Sequence, residues 1–337
     1  MSAITFRTER AIPSTSPTAS DTPAPAGTGV MRYPSLTTTV PKEFVHRASV
    51  AEVMLTDWER TGQARFTVSA QWPRGHSFFT PLEGCHDPLI AAETVRQAGA
   101  LLAHAEFGVP LGHHFLMWDL AVDVRPEHLL VGGAPASLEL DISCPQIKRR
   151  GRSLAGLRYE AVIRRDGRPV ATAGASFSCM SPAVYRRVRA HRPPAGECAR
   201  PLLTAPVAPQ SVGRMSPMDV VLSPLTEKHR WQLRVDSRHP VLFDHPVDHV
   251  PGMVLMEAAR QATATVLGRP FVPQSLTASF QRYAELDTPC IIEAHPATSP
   301  GPGPGPGPGP GRSVLVSGHQ DGQSVFRCTV TAAPPTP

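Results

Sequence analysis

Two short segments of this chain place the same charged residues on predicted helices. Residues 77–99 read SFFTPLEGCHDPLIAAETVRQAG, and residues 241–263 read VLFDHPVDHVPGMVLMEAARQAT. Aligned without a gap, both contain the pattern E-x-x-R-Q-A, which begins at Glu93 and at Glu257. A glutamate and an arginine on an otherwise apolar helix cost free energy unless they are paired or used. The repeat therefore predicts two related domains, each with charged chemistry on its central helix.

The second copy places polar residues directly before its predicted helix. His245 and His249 lie in the loop, and Pro251 and Gly252 lead into the helix. Proline followed by glycine at a helix entrance fixes the chain direction and lets a ligand approach the backbone closely. The unpaired N–H groups at such an N-terminus, together with the helix dipole, can polarise a carbonyl oxygen. This segment therefore predicts a site that acts on a carbonyl group.

The Glu–Arg pair on each helix has two interpretations. Glu257 and Arg260 are three residues apart and share a helix face, so they either pair with each other or act on one ligand. In the second interpretation the pair is a structural ion pair that joins the two halves of the chain. The residue pattern leaves both open.

The first copy differs from the second before its helix. His86 lies one residue away from the position that corresponds to His249, and no Pro-Gly pair follows it. We therefore expect that the first half does not carry out the same chemistry on its own. It is expected to supply Glu93 and Arg96 across an interface between the halves.

Hydrophobic patterning predicts the same order of elements in both halves. Alternation predicts strands at 65–72 and 231–235, and apolar stretches predict long helices at 88–107 and 252–267. Strand-like runs follow at 115–124, 136–143, 157–164 and 169–178 in the first half, and at 276–283, 290–295, 313–317 and 325–332 in the second. Asp-Gly turns at 166–167 and 321–322 join the last two runs of each half. One long helix followed by antiparallel strands is typical of the hotdog fold, so an α+β chain with two hotdog domains is predicted.

The predicted domain boundaries follow changes in composition. Residues 1–34 are rich in Ser, Thr, Pro and Ala and are predicted to be a disordered tail. The two hotdog domains are predicted at 35–192 and 211–334, with a proline-rich linker at 193–210. The Gly-Pro run at 300–311 suits neither a helix nor a strand and is predicted to be an expanded hairpin loop.

Composition narrows the classes of function. The chain has 337 residues, of which 41% are apolar, and it has no apolar run of about 18 residues that would predict a membrane span. The N-terminus lacks an apolar secretion segment, and the six cysteines lack metal-site spacing, so a cytoplasmic protein without a metal is predicted. Solvated loops or an anionic partner, such as an acidic carrier protein, explain the net charge of +5. Nucleic acid is not predicted, because no binding motif accompanies the charge.

The segment 245–262 resembles the active-site helix of the hotdog β-hydroxyacyl-carrier-protein dehydratases. The Pro-Gly pair at 251–252, the Glu-Ala pair at 257–258 and Gln261 match that helix. Two features depart from it, since Phe243 occupies the position of the dehydratase histidine and Arg260 stands where a small residue is usual.

Both departures match a different family, the A-factor synthase (AfsA) type of γ-butyrolactone autoregulator biosynthesis proteins. That family has two hotdog repeats, each with E-x-x-R-Q, and stretches similar to VGRMSPMDVVLSP at 212–224 and WQLRVDSRHPVLFDHPVDHVPGMVLMEAARQA at 231–262. The resemblance runs from about Tyr33 to the C-terminus. It implies transfer of a β-ketoacyl group from an acyl carrier protein to the hydroxyl of dihydroxyacetone phosphate, without a cofactor.

The resemblance also implies roles for residues. The general base is expected among Glu257, His249 and His245, with Glu93 as a further acidic residue from the first half. A base at Glu257 predicts that Glu257→Gln abolishes transfer and leaves the fold intact. The expected substrate-binding residues are the backbone N–H groups of Gly252 and Met253 for the thioester oxyanion, Arg260 or Arg96 for the phosphate, and Gln261.

Two alternative functions stay open at this point. The first is a dehydratase or thioesterase that acts on acyl thioesters, which needs a histidine and a glutamate in dehydratase geometry. The second is a non-catalytic protein that binds an acyl group or a butyrolactone and regulates transcription through partners. Whether the chain forms a homodimer, and which acyl chains it accepts, is also open.

Overall fold

The structure is a computed structural model that describes residues 37–192, 202–297 and 312–333. The predicted tail at 1–34, the Gly-Pro run at 300–311 and the first part of the predicted linker lie outside the described residues. The rest of that linker packs onto the second half, since the amide of Val207 donates to the carbonyl of Leu222 at 3.0 Å. All elements named below belong to the unit Thr38–Pro337.

The first half contains six strands and a long helix. The strands are β1 (Leu55–Gly62), β2 (Arg65–Trp72), β3 (His114–Val124), β4 (Ala136–Arg150), β5 (Ser153–Arg165) and β6 (Arg168–Met180). The long helix α1 (Pro88–Ala105) lies between β2 and β3 in the chain, and a short helix α2 (Pro182–Val188) follows β6. Two short 3₁₀-helices, Lys42–Val45 and Val50–Glu52, precede β1.

The second half repeats this order. The 3₁₀-helices Pro209–Val212 and Pro217–Asp219 precede its first strand. Its elements are β7 (Leu222–Pro224), β8 (Arg230–Leu233), the long helix α3 (Gly252–Leu267), β9 (Pro273–Phe280), β10 (Ile291–Pro296), β11 (Ser313–Gln320) and β12 (Gln323–Ala332). The described parts of the two halves therefore share six strands, a long helix and two preceding 3₁₀-helices, whereas α2 and the 3₁₀-helix Pro126–His128 occur in the first half alone.

The strands of both halves form a single antiparallel sheet with a mirrored order. That order is β1-β2-β4-β5-β6-β3-β9-β12-β11-β10-β8-β7. β3 and β9 pair along the centre, from Asp119 with Ser279 to Asp123 with Ser275. Each half thus wraps its own part of the sheet around its own central helix, and the predicted duplicated hotdog architecture is confirmed.

Several predicted elements coincide with the observed ones. Helix α3 and strand β2 have the predicted bounds, and α1 ends at Ala105, two residues earlier than predicted. The turn residues Asp166 and Gly167 both have positive φ, 51° and 74°, as a two-residue hairpin turn requires. Strand β9 begins and ends three residues before the predicted run at 276–283, and β1, β7 and α2 were not predicted.

The central helices are buried on almost all sides. Sixteen of the eighteen residues of α1 are buried, including Glu93 and Gln97. Twelve of the sixteen residues of α3 are buried, including Glu257 and Arg260. Because the burial leaves these polar groups without water, each needs a partner inside the protein. Among the described residues, no helix is long and apolar enough to cross a membrane.

Candidate active site

Glu257 lies in a closed ion cluster on α3. Its carboxylate accepts two bonds from Arg214, both 2.8 Å, and two from Arg260, at 2.9 and 2.6 Å. The amide of Gln261 donates to the same carboxylate. Burial alone would raise the pKa of Glu257, but the charges of Arg214 and Arg260 outweigh it and lower the pKa to about 2. Glu257 is therefore an ionised, fully buried anion with five donors.

The first half contains the same cluster around Glu93. Arg96 donates to its carboxylate at 2.8 and 2.7 Å, Nε of Arg47 at 3.0 Å and Gln97 at 2.7 Å, and Nη2 of Arg47 forms an ion pair with it at 2.6 Å. Burial again opposes ionisation, and the charges of Arg47 and Arg96 hold the pKa of Glu93 at about 2. In each half, the motif glutamate thus binds the arginine and the glutamine of its own motif and a second arginine from the segment before the first strand.

The two clusters connect the halves of the molecule reciprocally. Nη1 of Arg47 donates to the carbonyl of Val241 in the second half at 3.0 Å. Nη1 of Arg214 donates to the carbonyl of Phe78 in the first half at 2.6 Å. Of the two interpretations that the sequence leaves open, this geometry favours an ion pair that joins the halves.

The motif glutamines hold the loop that precedes the first strand of each half. Gln97 accepts from the amide of Met54 at 2.9 Å and donates to the carbonyl of Glu52 at 2.8 Å. Gln261 makes the equivalent bonds to Val221 at 3.0 Å and Asp219 at 2.7 Å. All polar atoms of the Gln261 side chain are therefore occupied within the protein.

The helix motifs do not predict the roles of Arg47 and Arg214, although both arginines lie in a second, shorter repeat. The segment VHRAS at 45–49 and the segment VGRMS at 212–216 share valine, arginine and serine in the same positions. Each segment follows a 3₁₀-helix and lies upstream of the first strand of its half. A search for repeats outside the helices would have found both arginines.

His249 forms a hydrogen-bonded dyad with Asp248 in the loop before α3. Its Nδ1 lies 2.7 Å from Oδ1 of Asp248, and the hydroxyl of Tyr185 donates to the same carboxylate at 2.7 and 2.9 Å. Burial would raise the pKa of Asp248, but the bonds from His249 and Tyr185 outweigh it and hold the pKa below its usual range. Since the ionised carboxylate only accepts, Nδ1 of His249 carries the proton and Nε2 is left as the basic nitrogen. The side chain of His249 is 31% exposed.

Helix α2 and the residue after it position this dyad. Arg189 donates to the carbonyl of Asp248 at 3.2 Å and to the carboxylate of Glu285 at 2.5 and 2.7 Å. Its guanidinium lies 4.5 Å from the centre of the Tyr283 ring, against which the ring of His249 packs edge to face at 4.8 Å. Helix α2, which the sequence did not predict, therefore supports Asp248 and His249 in the loop before α3.

The N-terminus of α3 is open, whereas that of α1 is closed. Asp87 caps α1, because its carboxylate accepts from the amide of Leu89 at 2.9 Å. Pro251 occupies the capping position of α3, where no side-chain bond caps the helix. A Cβ on Gly252 would lie 3.1 Å from the Phe280 ring, so glycine permits this close packing. Among the described residues, a side chain therefore caps the first amides of α1 but not those of α3.

The first half has no imidazole in the place of His249. Isolated bridges pair His249 with Glu285 and Cys85 with Leu130 at the same point of each half. Cys85 therefore occupies the position of His249, and its buried thiol has a raised pKa.

His245 lies apart from the dyad. Its Nδ1 is 3.5 Å from the carboxylate of Asp244, and its side chain is 45% exposed. Asp244 accepts from the amides of Ala48 at 2.6 Å and Ser49 at 3.2 Å, which ties this loop to the first half. Among the described residues, no group of three histidine, cysteine or acidic side chains has metal-site geometry.

A cleft of about 370 Å³ opens next to the dyad. Three of the residues that line the cleft are Arg189, Tyr283 and Phe280. Arg189 and Tyr283 contact the dyad, and Phe280 packs against Gly252. Trp118 and Val188 lie on its wall and are both exposed. The cleft is large enough for a small-molecule ligand and is partly apolar.

Comparison with known proteins assigns the chain to a family. Residues 31–181 and 199–333 match the model of the A-factor biosynthesis hotdog domain, AfsA. A protein of Streptomyces virginiae named 2-oxo-3-(phosphooxy)propyl 3-oxoalkanoate synthase is 57% identical over 296 residues, which cover 88% of this chain and 98% of that relative. A protein of the same name from Streptomyces coelicolor is 45% identical over 298 residues, or 87% of this chain and 91% of that relative. The 12:0-ACP thioesterase from Umbellularia californica superposes with a TM-score of 0.49 and 14% identity, over 82% of this chain and all of that one. The chain therefore belongs to the AfsA family of A-factor biosynthesis hotdog proteins.

Proposed function

We propose that this protein transfers a 3-oxoacyl group from an acyl thioester to the hydroxyl of dihydroxyacetone phosphate. The C–S bond of the thioester breaks, the hydroxyl oxygen forms the new ester bond, and its proton ends on the released thiol. The name of the relatives, a 2-oxo-3-(phosphooxy)propyl 3-oxoalkanoate synthase, describes such an ester. The observation that carries the proposal is the His249–Asp248 dyad beside the open N-terminus of α3.

We assign the general base to His249. Asp248 fixes the protonated Nδ1, so Nε2 is the nitrogen that accepts the proton of the attacking hydroxyl. After collapse of the tetrahedral intermediate, the same nitrogen returns the proton to the thiolate. Asp248 and Tyr185 act as positioning residues, because they hold the imidazole and do not touch the reacting atoms.

The backbone amides of Gly252 and Met253 are assigned to the oxyanion. The thioester oxygen becomes negatively charged in the intermediate, and helix N-terminal amides and the helix dipole stabilise such charge. Glycine at this position lets the ring of Phe280, which lines the cleft, pack against the first turn of the helix. The cleft beside it is assigned to the acyl thioester, with Trp118 and Val188 as apolar contacts for its chain.

The geometry does not favour Glu257 or Glu93 as the base. Both carboxylates are fully buried and have a pKa of about 2, and Glu257 accepts five hydrogen bonds and Glu93 four, so neither can take up a proton near neutral pH. We assign both to the support of the site. Each motif arginine binds its glutamate, but the side chain of Arg96 is 21% exposed and that of Arg260 only 1%, so we assign Arg96 to the phosphate.

The same geometry weakens the dehydratase alternative. A dehydratase of the hotdog type needs a glutamate that exchanges protons beside its histidine, and Glu257 is sealed by two arginines. A thioesterase stays a competitor, since a histidine–aspartate dyad also activates water. An acyl carrier protein as donor, a cytoplasmic location and a homodimer stay predictions.

The test is mass spectrometry of purified protein incubated with a 3-oxoacyl thioester, with and without dihydroxyacetone phosphate. We expect a phosphorylated ester that forms only with the acceptor. We also expect His249→Gln to lower kcat about 10²–10⁴-fold, while His295→Gln, which removes an exposed imidazole on β10, leaves kcat unchanged. Free acid formed regardless of acceptor would show a thioesterase, and tight thioester binding without turnover would show a regulatory binding protein.

A further inference from the structure

His46 has a backbone conformation that disfavours a side chain. It follows the 3₁₀-helix Lys42–Val45 with φ 54° and ψ 53°, in the left-handed region. The equivalent residue of the second half is Gly213, with φ 69° and ψ 31°. Glycine adopts this region freely, whereas a residue with a Cβ adopts it at a cost. The first half thus keeps an imidazole where the same turn is built with glycine in its copy, which points to a function for the ring.

The imidazole of His46 is oriented by a second histidine. Its Nε2 lies 2.7 Å from Nε2 of His104, whose Nδ1 lies 2.7 Å from the carbonyl of Val109. Because a carbonyl only accepts, Nδ1 of His104 carries a proton and its Nε2 accepts from His46. Nδ1 of His46 is therefore the nitrogen left for another partner.

Arg96 lies beside this ring with one unused nitrogen. Its Nε and Nη2 bind Glu93, and Nη2 also donates to the carbonyl of Val45 at 3.1 Å. Its Nη1 makes no hydrogen bond to any described residue. The side chain of Arg96 is 21% exposed, whereas that of its counterpart Arg260 is 1% exposed. The same cluster is thus sealed in the second half and open next to His46 in the first.

Two further histidines complete the surroundings of His46. The ring of Phe115 lies 4.6 Å from that of His46, and the adjacent His114 stacks on Tyr185 at 3.6 Å. Tyr185 is the residue that binds Asp248, so His114 lies beside the dyad, and it also acts electrostatically on His46. On the opposite side, the bonds of Asp244 to the 48–49 backbone bring His245 toward the same loop.

We propose that Arg96, His46, His114 and His245 form the subsite for the phosphate of the acceptor and so present its hydroxyl to His249. This inference rests on the proposed function and adds the residues that select a phosphorylated acceptor. Four cationic or potentially cationic side chains, all partly exposed, outnumber the two carboxylates beside them, Glu93 on Arg96 and Asp244 on His245. This excess suits a dianion that is held by charge-assisted hydrogen bonds.

Binding of a dianion is expected to be coupled to proton uptake. In the free protein, burial and the nearby Arg96, His104, His245 and His114 lower the pKa of His46 to about 3, so its ring is neutral. A phosphate dianion next to Nδ1 reverses this electrostatic balance and favours the imidazolium.

The test uses His46→Gly, which copies the second half. We expect the thermal midpoint to stay equal or to rise, because glycine suits the left-handed turn. The KM for dihydroxyacetone phosphate is expected to rise about ten-fold or more, with the KM for the thioester unchanged. His114→Phe, which keeps the stack on Tyr185, is expected to act in the same direction, and His295→Gln is the control.

Calorimetric titration with dihydroxyacetone phosphate, without thioester, separates this inference from the proposed function. We expect the wild type to bind and to take up protons, measured in two buffers, and His46→Gly to bind weakly without uptake. Unchanged affinity in both His46→Gly and His114→Phe would overturn the subsite while ester formation by the wild type stands. Binding that depends on His46, in a wild type that forms no ester, would support the subsite and overturn the transferase.

Discussion

Glu257 shows how the partners of one residue change its role. On the sequence, a glutamate one and a half turns into an active-site-like helix suggests a general base. In the structure, Arg214, Arg260 and Gln261 saturate its carboxylate, and its charge neutralises buried guanidinium groups. We therefore propose that Glu257 acts by fixing the loop and helix around the site.

This role leads to a prediction for Glu257→Gln. The variant leaves Arg214 and Arg260 buried without their counter-charge, so we expect the free energy of unfolding to fall by about 3–5 kcal/mol. Denaturant unfolding followed by circular dichroism measures the change. Glu293→Gln, which removes half of a surface pair with Arg230, is the matched control, expected to cost less than about 1 kcal/mol.

The general-base hypothesis makes the opposite prediction for the same variant. It expects normal stability and no transfer activity in Glu257→Gln. Measured activity per folded molecule therefore decides between the two roles. An intact unfolding curve with abolished turnover would return the base assignment to Glu257.

At the scale of elements, the entrance of α3 combines three features that neither α1 nor the sequence pattern alone provides. Pro251 leaves the first turn without a side-chain cap, Gly252 packs against Phe280, and the loop before them carries His249. In α1 the cap is a buried aspartate, so the equivalent amides are already occupied. This difference supports our proposal that the N-terminus of α3 alone takes part in catalysis.

We predict that Gly252→Ala lowers kcat more than it lowers stability. Its Cβ would lie 3.1 and 3.2 Å from two atoms of the Phe280 ring, so the ring or the helix must move, and the path to the amides narrows. We expect a loss of about 10²–10³-fold in kcat, the range for loss of an oxyanion donor. Steady-state kinetics with saturating thioester measures it.

A second substitution tests the steric cause of that loss. Phe280→Leu shortens the side chain that the new Cβ meets, so the double variant is expected to regain part of the lost kcat. If the double variant is no better than Gly252→Ala alone, the contact with Phe280 is not the reason that position 252 is a glycine.

Elements that depend on neighbouring residues could be predicted from the sequence, and elements that depend on distant residues could not. The strong periodic signal of residues 252–267 gives the bounds of α3 directly, and the Asp-Gly turns give the hairpins. Helix α2 has seven residues, and its stability depends on Tyr185 and Arg189, whose partners lie about 60 and 96 residues away in the chain. Local patterns carry no information about such partners.

The distance along the chain between interacting residues also decides which site residues could be predicted. The sequence indicated His249, Gly252 and the E-x-x-R-Q motifs, because these are compact local patterns. It did not indicate Arg47 or Arg214, whose bonds to Val241 and Phe78 cross between the halves. Long-range contacts of this kind determine that the motif glutamates are enclosed.

At the scale of the whole molecule, the duplicated chain forms one continuous sheet, and we propose that its two halves have different roles. The sheet is continuous through β3 and β9, and each arginine of the reciprocal pair anchors a turn of the other half. The second half supplies the dyad and the open helix entrance. The first half supplies Arg96 and His46. The equivalent residues of the second half are the buried Arg260 and Gly213.

This arrangement predicts how stability depends on acid. Glu93 and Glu257 have pKa values of about 2 in the folded protein, below the ordinary value of 4.5 that applies to the unfolded chain. The unfolded chain therefore binds more protons between these values, so the stabilisation is complete above about pH 4.5 and is lost as the pH falls toward 2. Each carboxyl adds at most about 1.4 kcal/mol per pH unit to the slope in that window.

Because each cluster binds both halves, we expect acid to unfold the two halves together. Trp231 is the tryptophan of the second half, whereas Trp58, Trp72 and Trp118 belong to the first. A variant with phenylalanine at the three first-half positions reports on the second half by fluorescence, and Trp231→Phe reports on the first. Each is compared with its own circular dichroism curve, so that any change in stability caused by the substitutions is accounted for. We expect the two transitions to coincide between pH 4.5 and 2. A second half that stays folded after the first half has unfolded would show that Arg47 and Arg214 do not couple the two halves.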